Sequence, residues 1–152
     1  MEKESALGFF QKETSMMFAI THELELFRNK ALETYGITGK QAIILYFLLL
    51  NTEKQLTQRE FEYKFNLCSS TINSVLNYLE DGGFLTRIVS ETDGRAKNIK
   101  ATDKGMKMSA VIKEQLQKEM DIVTKGFSEK EQEQFRDYLF RALNNIKGNK
   151  NQ

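Results

Sequence analysis

Residues 56–102 read LTQREFEYKFNLCSSTINSVLNYLEDGGFLTRIVSETDGRAKNIKAT, and the rest of the chain is organised around them. Thr57 and Glu60 stand at the spacing of a capping box, in which each side chain meets the other residue's free backbone N–H. That predicts a helix to about Phe65, with Phe61 and Phe65 facing inward one turn apart. Asn66 and Leu67 make a turn. A second helix then spans about Ser69 to Asp81, with Ile72, Val75, Leu76 and Leu79 as its buried side, and Gly82-Gly83 stops it. Phe84, Leu85, Ile88 and Val89 fall in a short strand. Residues 91–96 form a turn, and residues 97–101 return as a second strand, with Ile99 pointing in and Lys97 and Asn98 pointing out.

Upstream, residues 7–35 predict a long helix. Phe10, Met17, Ile20, Leu24, Phe27 and Ala31 form its apolar stripe, and Gly36 ends it. Thr38 and Gln41 form a second capping box for a helix over residues 39–51. This helix carries the apolar run from Ile43 to Leu50 and should be buried on most sides. A β-strand is the competing reading of that run; the cap and the flanking helices favour a helix. Downstream, Thr102 or Asp103 caps a helix over residues 103–125 with the stripe Met106, Ala110, Ile112, Leu116, Met120, Val123 and Phe127. Gly126 interrupts it. Ser128 and Glu131 form a third box, opening a last helix to about Ile146 with the stripe Phe135, Tyr138, Leu139, Ala142, Leu143 and Ile146. The tail, residues 147–152, is polar and expected to fray.

The expected fold is therefore mainly α with a small β-hairpin wing. Residues 39–103 form a winged helix-turn-helix lobe, and residues 1–38 and 104–152 form long flanking helices. Those flanking stripes have little to cover within one chain. Two copies interleaving them would bury the stripes, so the helices read as the dimerisation region of a homodimer.

Composition sets outer limits. The chain has 152 residues, 40% hydrophobic and 28% charged, which suits one ordinary globular domain with extensions. It has no Pro, so long uninterrupted helices are allowed. Its net charge is +1, so any affinity for nucleic acid must rest on local charge. One Cys excludes an internal disulfide; no signal peptide is evident and the longest apolar run is too short to cross a bilayer, so a cytoplasmic protein without membrane contact is expected.

A helix that enters the major groove packs one face into its own domain and offers short polar side chains from the other. The helix over residues 69–81 does both. Its outer face is Ser69, Ser70, Thr71, Asn73, Ser74 and Asn77. Ser and Thr can bond several bases, and Asn can make a paired contact to adenine. The plain alternative is a solvated polar face. The setting argues for DNA: a capped helix precedes this one, with Thr57, Gln58 and Arg59 at its start, and a hairpin with a basic tip follows. At that tip Arg95 can enter a minor groove, held extended by Asp93.

With those residues in view, the chain resembles the MarR family of winged helix-turn-helix regulators. The resemblance lies in Leu56-Thr57-Gln58-Arg59-Glu60, in Ser70-Thr71 with Leu79-Glu80-Asp81-Gly82-Gly83-Phe84-Leu85, in Asp93-Gly94-Arg95, and in the run from Ile99 to Gly105. With the flanking helices it covers nearly the whole chain. It implies a homodimeric transcription regulator, usually a repressor, that binds a pseudo-palindromic operator in double-stranded DNA and is released by a small-molecule effector or by oxidation. The sequence departs from the family where basic residues are usual: Ser69, Ser74 and Tyr78 stand there, and nothing from Cys68 to Gly83 is basic. Phosphate contacts then fall to Arg59, Lys64, Arg87, Arg95, Lys97, Lys100 and Lys104, which predicts modest affinity with a shallow salt dependence.

The resemblance places an effector pocket where the dimer helices meet the lobe. His22, Phe27, Tyr46, Phe47 and Tyr63 are the candidates to line it, although aromatic residues at helical spacing are commonly core. A single His makes no metal site. Cys68 starts the reading helix, where a thiol can be acidified and oxidised, so a redox-sensing regulator is an alternative; an inert thiol is the plainer outcome. No Gly-rich phosphate loop, metal-ligand cluster or paired catalytic residues mark an enzyme, and no cofactor is expected. A winged-helix protein-interaction module without DNA binding is the other alternative, favoured by the near-neutral charge.

Overall fold

A computed structural model describes residues 12–90, 94 and 97–149. The elements are α1 (Lys12–Leu32), a 3₁₀ turn (Glu33–Tyr35), α2 (Gly39–Leu49), α3 (Gln58–Phe65), α4 (Ser69–Asp81), β1 (Leu85–Val89), β2 (Lys97–Ala101), α5 (Asp103–Val123) and α6 (Glu129–Asn149). The expected order of helices and hairpin is found. Residues 7–11 of the expected first helix lie outside the described residues. The described part tightens to the 3₁₀ turn after Leu32 and ends at Gly36, whose φ of 72° suits glycine.

The apolar run in α2 is helical, as its cap demanded. Gln41 N donates to Thr38 Oγ1 at 3.3 Å, and Thr38 N donates to Gln41 Oε1 at 2.8 Å. At the start of α3, Glu60 Oε2 accepts from Thr57 N at 2.7 Å and from the Thr57 hydroxyl. Asn66 ends α3 with a φ of 50°, a left-handed conformation that Asn tolerates, and so makes the tight turn into α4.

The core lies where α2, α3, α4, the hairpin and α5 meet. Ile44, Leu45, Leu48, Phe61, Ile72, Leu76, Leu79, Leu85, Ile99 and Ile112 are each at most 2% exposed. Phe47 meets Phe61 and Phe65 edge to face, with centroids 5.3 and 5.5 Å apart. Burying each such side chain contributes about 1.5–3 kcal/mol, which fixes α4 by its apolar side and leaves its polar side outward.

The hairpin is antiparallel, with Leu85 opposite Ala101, Arg87 opposite Ile99 and Val89 opposite Lys97. Leu56 adds a third edge, its carbonyl accepting from Ile99 N at 2.7 Å. This explains one departure from expectation. Asn98 is 7% exposed rather than outward, because the chain entering α3 runs alongside β2, where Gln55 Oε1 accepts from Asn98 Nδ2 at 3.3 Å. Lys97 is exposed as expected.

The exit from α4 is locked to the start of α5. Lys104 Nζ donates to Gly82 O at 2.6 Å and sits 4.3 Å from the Phe84 ring centroid. Thr102 Oγ1 donates to Gly83 O at 2.5 Å and accepts from Gly105 N at 3.1 Å. A Cβ on Gly105 would lie 2.0 Å from Phe84 O, so only glycine fits there.

The chain divides into two compact units, one ending at Leu116 and one beginning at Gln117. In the second, Gly126 breaks the helix with a φ of 86°, and Glu131 N donates to Ser128 Oγ at 3.3 Å in the expected box. Phe127 and Phe135 pack edge to face at 5.7 Å. No residue of α6 is buried, and the helix continues to Asn149, past its expected end at Ile146. Among the described residues no helix is long and apolar enough to cross a membrane.

Candidate nucleic-acid interface

α4 presents Ser69, Ser70, Asn73, Ser74 and Asn77 on its exposed side, with Thr71 half-buried. Its first turn is tied to α3 by one side chain: Gln58 Nε2 donates to Ser69 Oγ at 2.9 Å and to Glu62 Oε1 at 2.9 Å. The Gln58 amide and the Ser69 hydroxyl hold the Glu62 carboxyl below its usual pKa. Burial pushes the Glu60 carboxyl up, but the bonds from Thr57 outweigh it and its pKa is lowered.

A cleft of about 590 Å³ runs between the start of α3, the face of α4 and the hairpin. It brings together Thr57, Gln58 and Arg59, then Asn73 and Asn77, then Arg87 and Lys97. These were seven of the residues singled out from sequence. Ser69, Ser70, Thr71 and Ser74 lie on the same helix but do not line the cleft, and Lys100 is exposed on β2. Asp93 and Arg95 lie outside the described residues.

The cations differ in what they are free to do. Arg59, Lys97 and Lys100 form no ion pair among the described residues. Arg87 pairs with Glu80, its backbone N also donates to Glu80 Oε1 at 3.0 Å, and its Nη2 reaches Asn73 Oδ1 at 3.3 Å. Arg87 therefore braces α4 from the hairpin and is not a free cation. Lys104 caps the α4 exit in the same internal way. From sequence Glu80 stood only as a member of the run from Leu79 to Leu85. Its partnership with Arg87 depends on β1 turning back beside α4, which side-chain spacing does not reveal.

The five pocket candidates do not converge. Phe47 and Tyr63 line a cleft of about 450 Å³ between α2 and α3, and Tyr63 is 91% exposed at its rim. Tyr46 packs on the core, while His22 and Phe27 are exposed on α1. The space between α1 and the lobe is a different cavity of about 430 Å³, lined by Thr21, Leu24, Glu25 and Arg28 of α1, by Lys40, Ile43 and Ile44 of α2, and by Phe65 and Leu67. The reason is helical phase: Leu24 and Arg28 face α2, which turns His22 and Phe27 away.

Cys68 is exposed at the N-cap of α4. Its Sγ lies 3.2 Å from Ser70 Oγ and 3.1 Å from Thr71 Oγ1. These bonds, Ser70 first, lower the thiol pKa from 9.0 to about 7. Among the described residues no group of acidic, His and Cys side chains could hold a metal ion.

The architecture can be set beside known proteins. Residues 35–96 match the MarR family model. The HTH-type transcriptional regulator PecS of Dickeya dadantii (strain 3937) is 36% identical over 83 residues, which are 54% of this chain and 49% of PecS, so the chain spans about half of that relative's length. The HTH-type transcriptional regulator BilQ of Clostridioides difficile (strain CD3) is 24% identical over 107 residues, 70% of this chain and 71% of BilQ. Among solved structures, a MepR–DNA complex from S. aureus superposes with a TM-score of 0.82 at 26% identity, covering 90% of this chain and 98% of that one. The transcriptional regulator SlyA shares the fold at a TM-score of 0.83 and 23% identity over 91% of this chain and 96% of its own. The central lobe thus matches the MarR family model, and the winged helix-turn-helix fold around it is shared with a solved MepR–DNA complex along nine-tenths of this chain.

Proposed function

We propose that the protein is a DNA-binding transcription regulator, working in the cytoplasm as a homodimeric repressor on a pseudo-palindromic operator. One observation carries this reading: Asn73 and Asn77 of the polar face of α4 line one cleft with Arg59 and Lys97, which form no ion pair among the described residues. A structural relative of 26% identity is a MepR–DNA complex, which agrees with it. The helices in residues 1–38 and 104–152 are proposed to join two copies, setting two α4 helices on half-sites about one helical turn, ~10 bp, apart. Arg59, Lys97, Lys100 and Arg95 would neutralise phosphates. Few such contacts predict a shallow salt slope. The effector is proposed to enter the cavity of about 430 Å³ between α1 and α2, whose size suits a small ligand.

Selection of bound DNA from a random pool tests this reading, and a two-fold symmetric consensus is the expected result. Arg59→Ala should then weaken binding about equally on every sequence and reduce the salt slope by about 1. A pool from which no sequence is enriched would overturn the reading in favour of a protein-interaction module.

Cys68 supports a second reading in which oxidation releases DNA. Its thiolate would attack a peroxide oxygen, forming a sulfenic acid and expelling hydroxide at the N-terminus of the reading helix. Peroxide should then abolish DNA binding by wild type and spare Cys68→Ser. An equal response of both proteins sinks the redox reading.

A further inference from the structure

Asn73 stands on the exposed side of α4 with its Oδ1 3.3 Å from Arg87 Nη2. A guanidinium carries only N–H groups, so it can meet a carboxamide only through the oxygen. The contact therefore settles which way the amide points. Arg87 is in turn held firmly: its backbone N donates to Glu80 Oε1 at 3.0 Å, its guanidinium pairs with the other carboxylate oxygen, and its side chain is 13% exposed. One lone pair of Oδ1 is thus engaged by Arg87, and the NH₂ group, with its two donors, is the end of the Asn73 amide that no described residue engages.

This changes what Asn73 can read. An Asn recognises adenine by using both ends, its oxygen accepting from the N6 amino group while its NH₂ donates to N7. With the oxygen held against Arg87, adenine's amino group can be met only through its second lone pair, beside a cation, which is the poorer fit. Guanine presents two adjacent acceptors, N7 and O6, and suits the unengaged NH₂ end. Asn77, one turn along the same face, makes no side-chain hydrogen bond among the described residues and keeps both ends of its amide for bases.

We infer that Asn73 is a specificity-determining residue for guanine, with Arg87 and Glu80 as the positioning residues that make it so. The inference rests on the DNA-binding reading above. It assigns different bases to two Asn residues that the sequence alone makes equivalent.

The test is selection from a random pool with wild type, Asn73→Ala, Arg87→Lys and Glu80→Gln, each checked for folding by thermal melting. In wild type, one guanine per half-site should be preferred over adenine by roughly tenfold. Asn73→Ala should erase that preference and leave other positions unchanged. Lysine is too short and too singly directed to hold Glu80 and Asn73 together, so Arg87→Lys should shift the same position toward adenine. Should that variant fail to fold, Glu80→Gln loosens Arg87 and reads the same shift. A wild-type consensus with adenine at the Asn73-dependent position overturns this inference alone. So does a guanine preference unmoved in Arg87→Lys and Glu80→Gln. A wild-type pool with no consensus overturns the DNA reading itself, and this inference with it.

Discussion

The lobe and the terminal helices carry the same kind of apolar stripe, and the two stripes end differently. In α4, Ile72, Leu76 and Leu79 are fully buried against partners from the same chain. In α6, Tyr138, Leu139, Leu143 and Ile146 repeat at similar spacing and none is buried; Phe140, beside them, is 64% exposed. α1 resembles α6, with Met17, Phe18, Ile20 and Leu26 exposed. Helical periodicity thus tells that a face is apolar and not what covers it. An apolar face of this extent left open is ordinarily an interaction surface, and here a second copy is the proposed cover.

Four outcomes would break or sharpen that contrast. Phe61→Ala should be the most damaging, because it empties the centre of the lobe; about 3–5 kcal/mol of unfolding free energy should be lost in denaturant titration. Leu139→Asp with Leu143→Asp should leave the unfolding midpoint of the lobe near wild type but convert the protein from dimer to monomer in sedimentation. A wild-type protein that sediments as a monomer at micromolar concentration would end the proposal that a second copy covers α6. A pair of glycines gives a finer comparison. Gly105→Ala should cost about 1–3 kcal/mol, because its methyl would collide with the Phe84 carbonyl, whereas Gly148→Ala in α6, where a Cβ meets nothing, should be neutral or stabilising by up to about 1 kcal/mol.

The smallest effect concerns the rim of the lobe. Hydrogen bonds to Cys68 favour the thiolate in the folded protein, so alkylation by iodoacetamide should rise with pH and reach half its maximum at about 7, against 9.0 for an ordinary thiol. Thr71→Val should move that midpoint upward. A midpoint near 9 in wild type would remove the basis of the redox reading.

Much of the fold was legible because its signals are local. The boxes at Thr38, Thr57 and Ser128, the glycines at 36, 83 and 126, and the stripe of α4 involve residues within a turn or two of one another. The polar face of α4 was legible for the same reason. The burial of Asn98 was not, since it depends on residues 55–56 running beside β2. Neither was the cavity on α1, whose lining depends on which side of that helix meets α2.

The sequence by itself determined the elements, their order and the residue types offered on the outer face of α4, because capping, periodicity and turn chemistry act over a few residues. Only the tertiary structure decided the state in which those residues are offered. Arg87, Glu80 and Asn73 are seven and fourteen positions apart, and they meet because β1 folds back along α4. That meeting takes one cation out of the set free for phosphates and engages the amide oxygen of one Asn. Hydrogen-bonding capacity belongs to a residue type; how much of it remains for a partner is set by the neighbours that folding supplies.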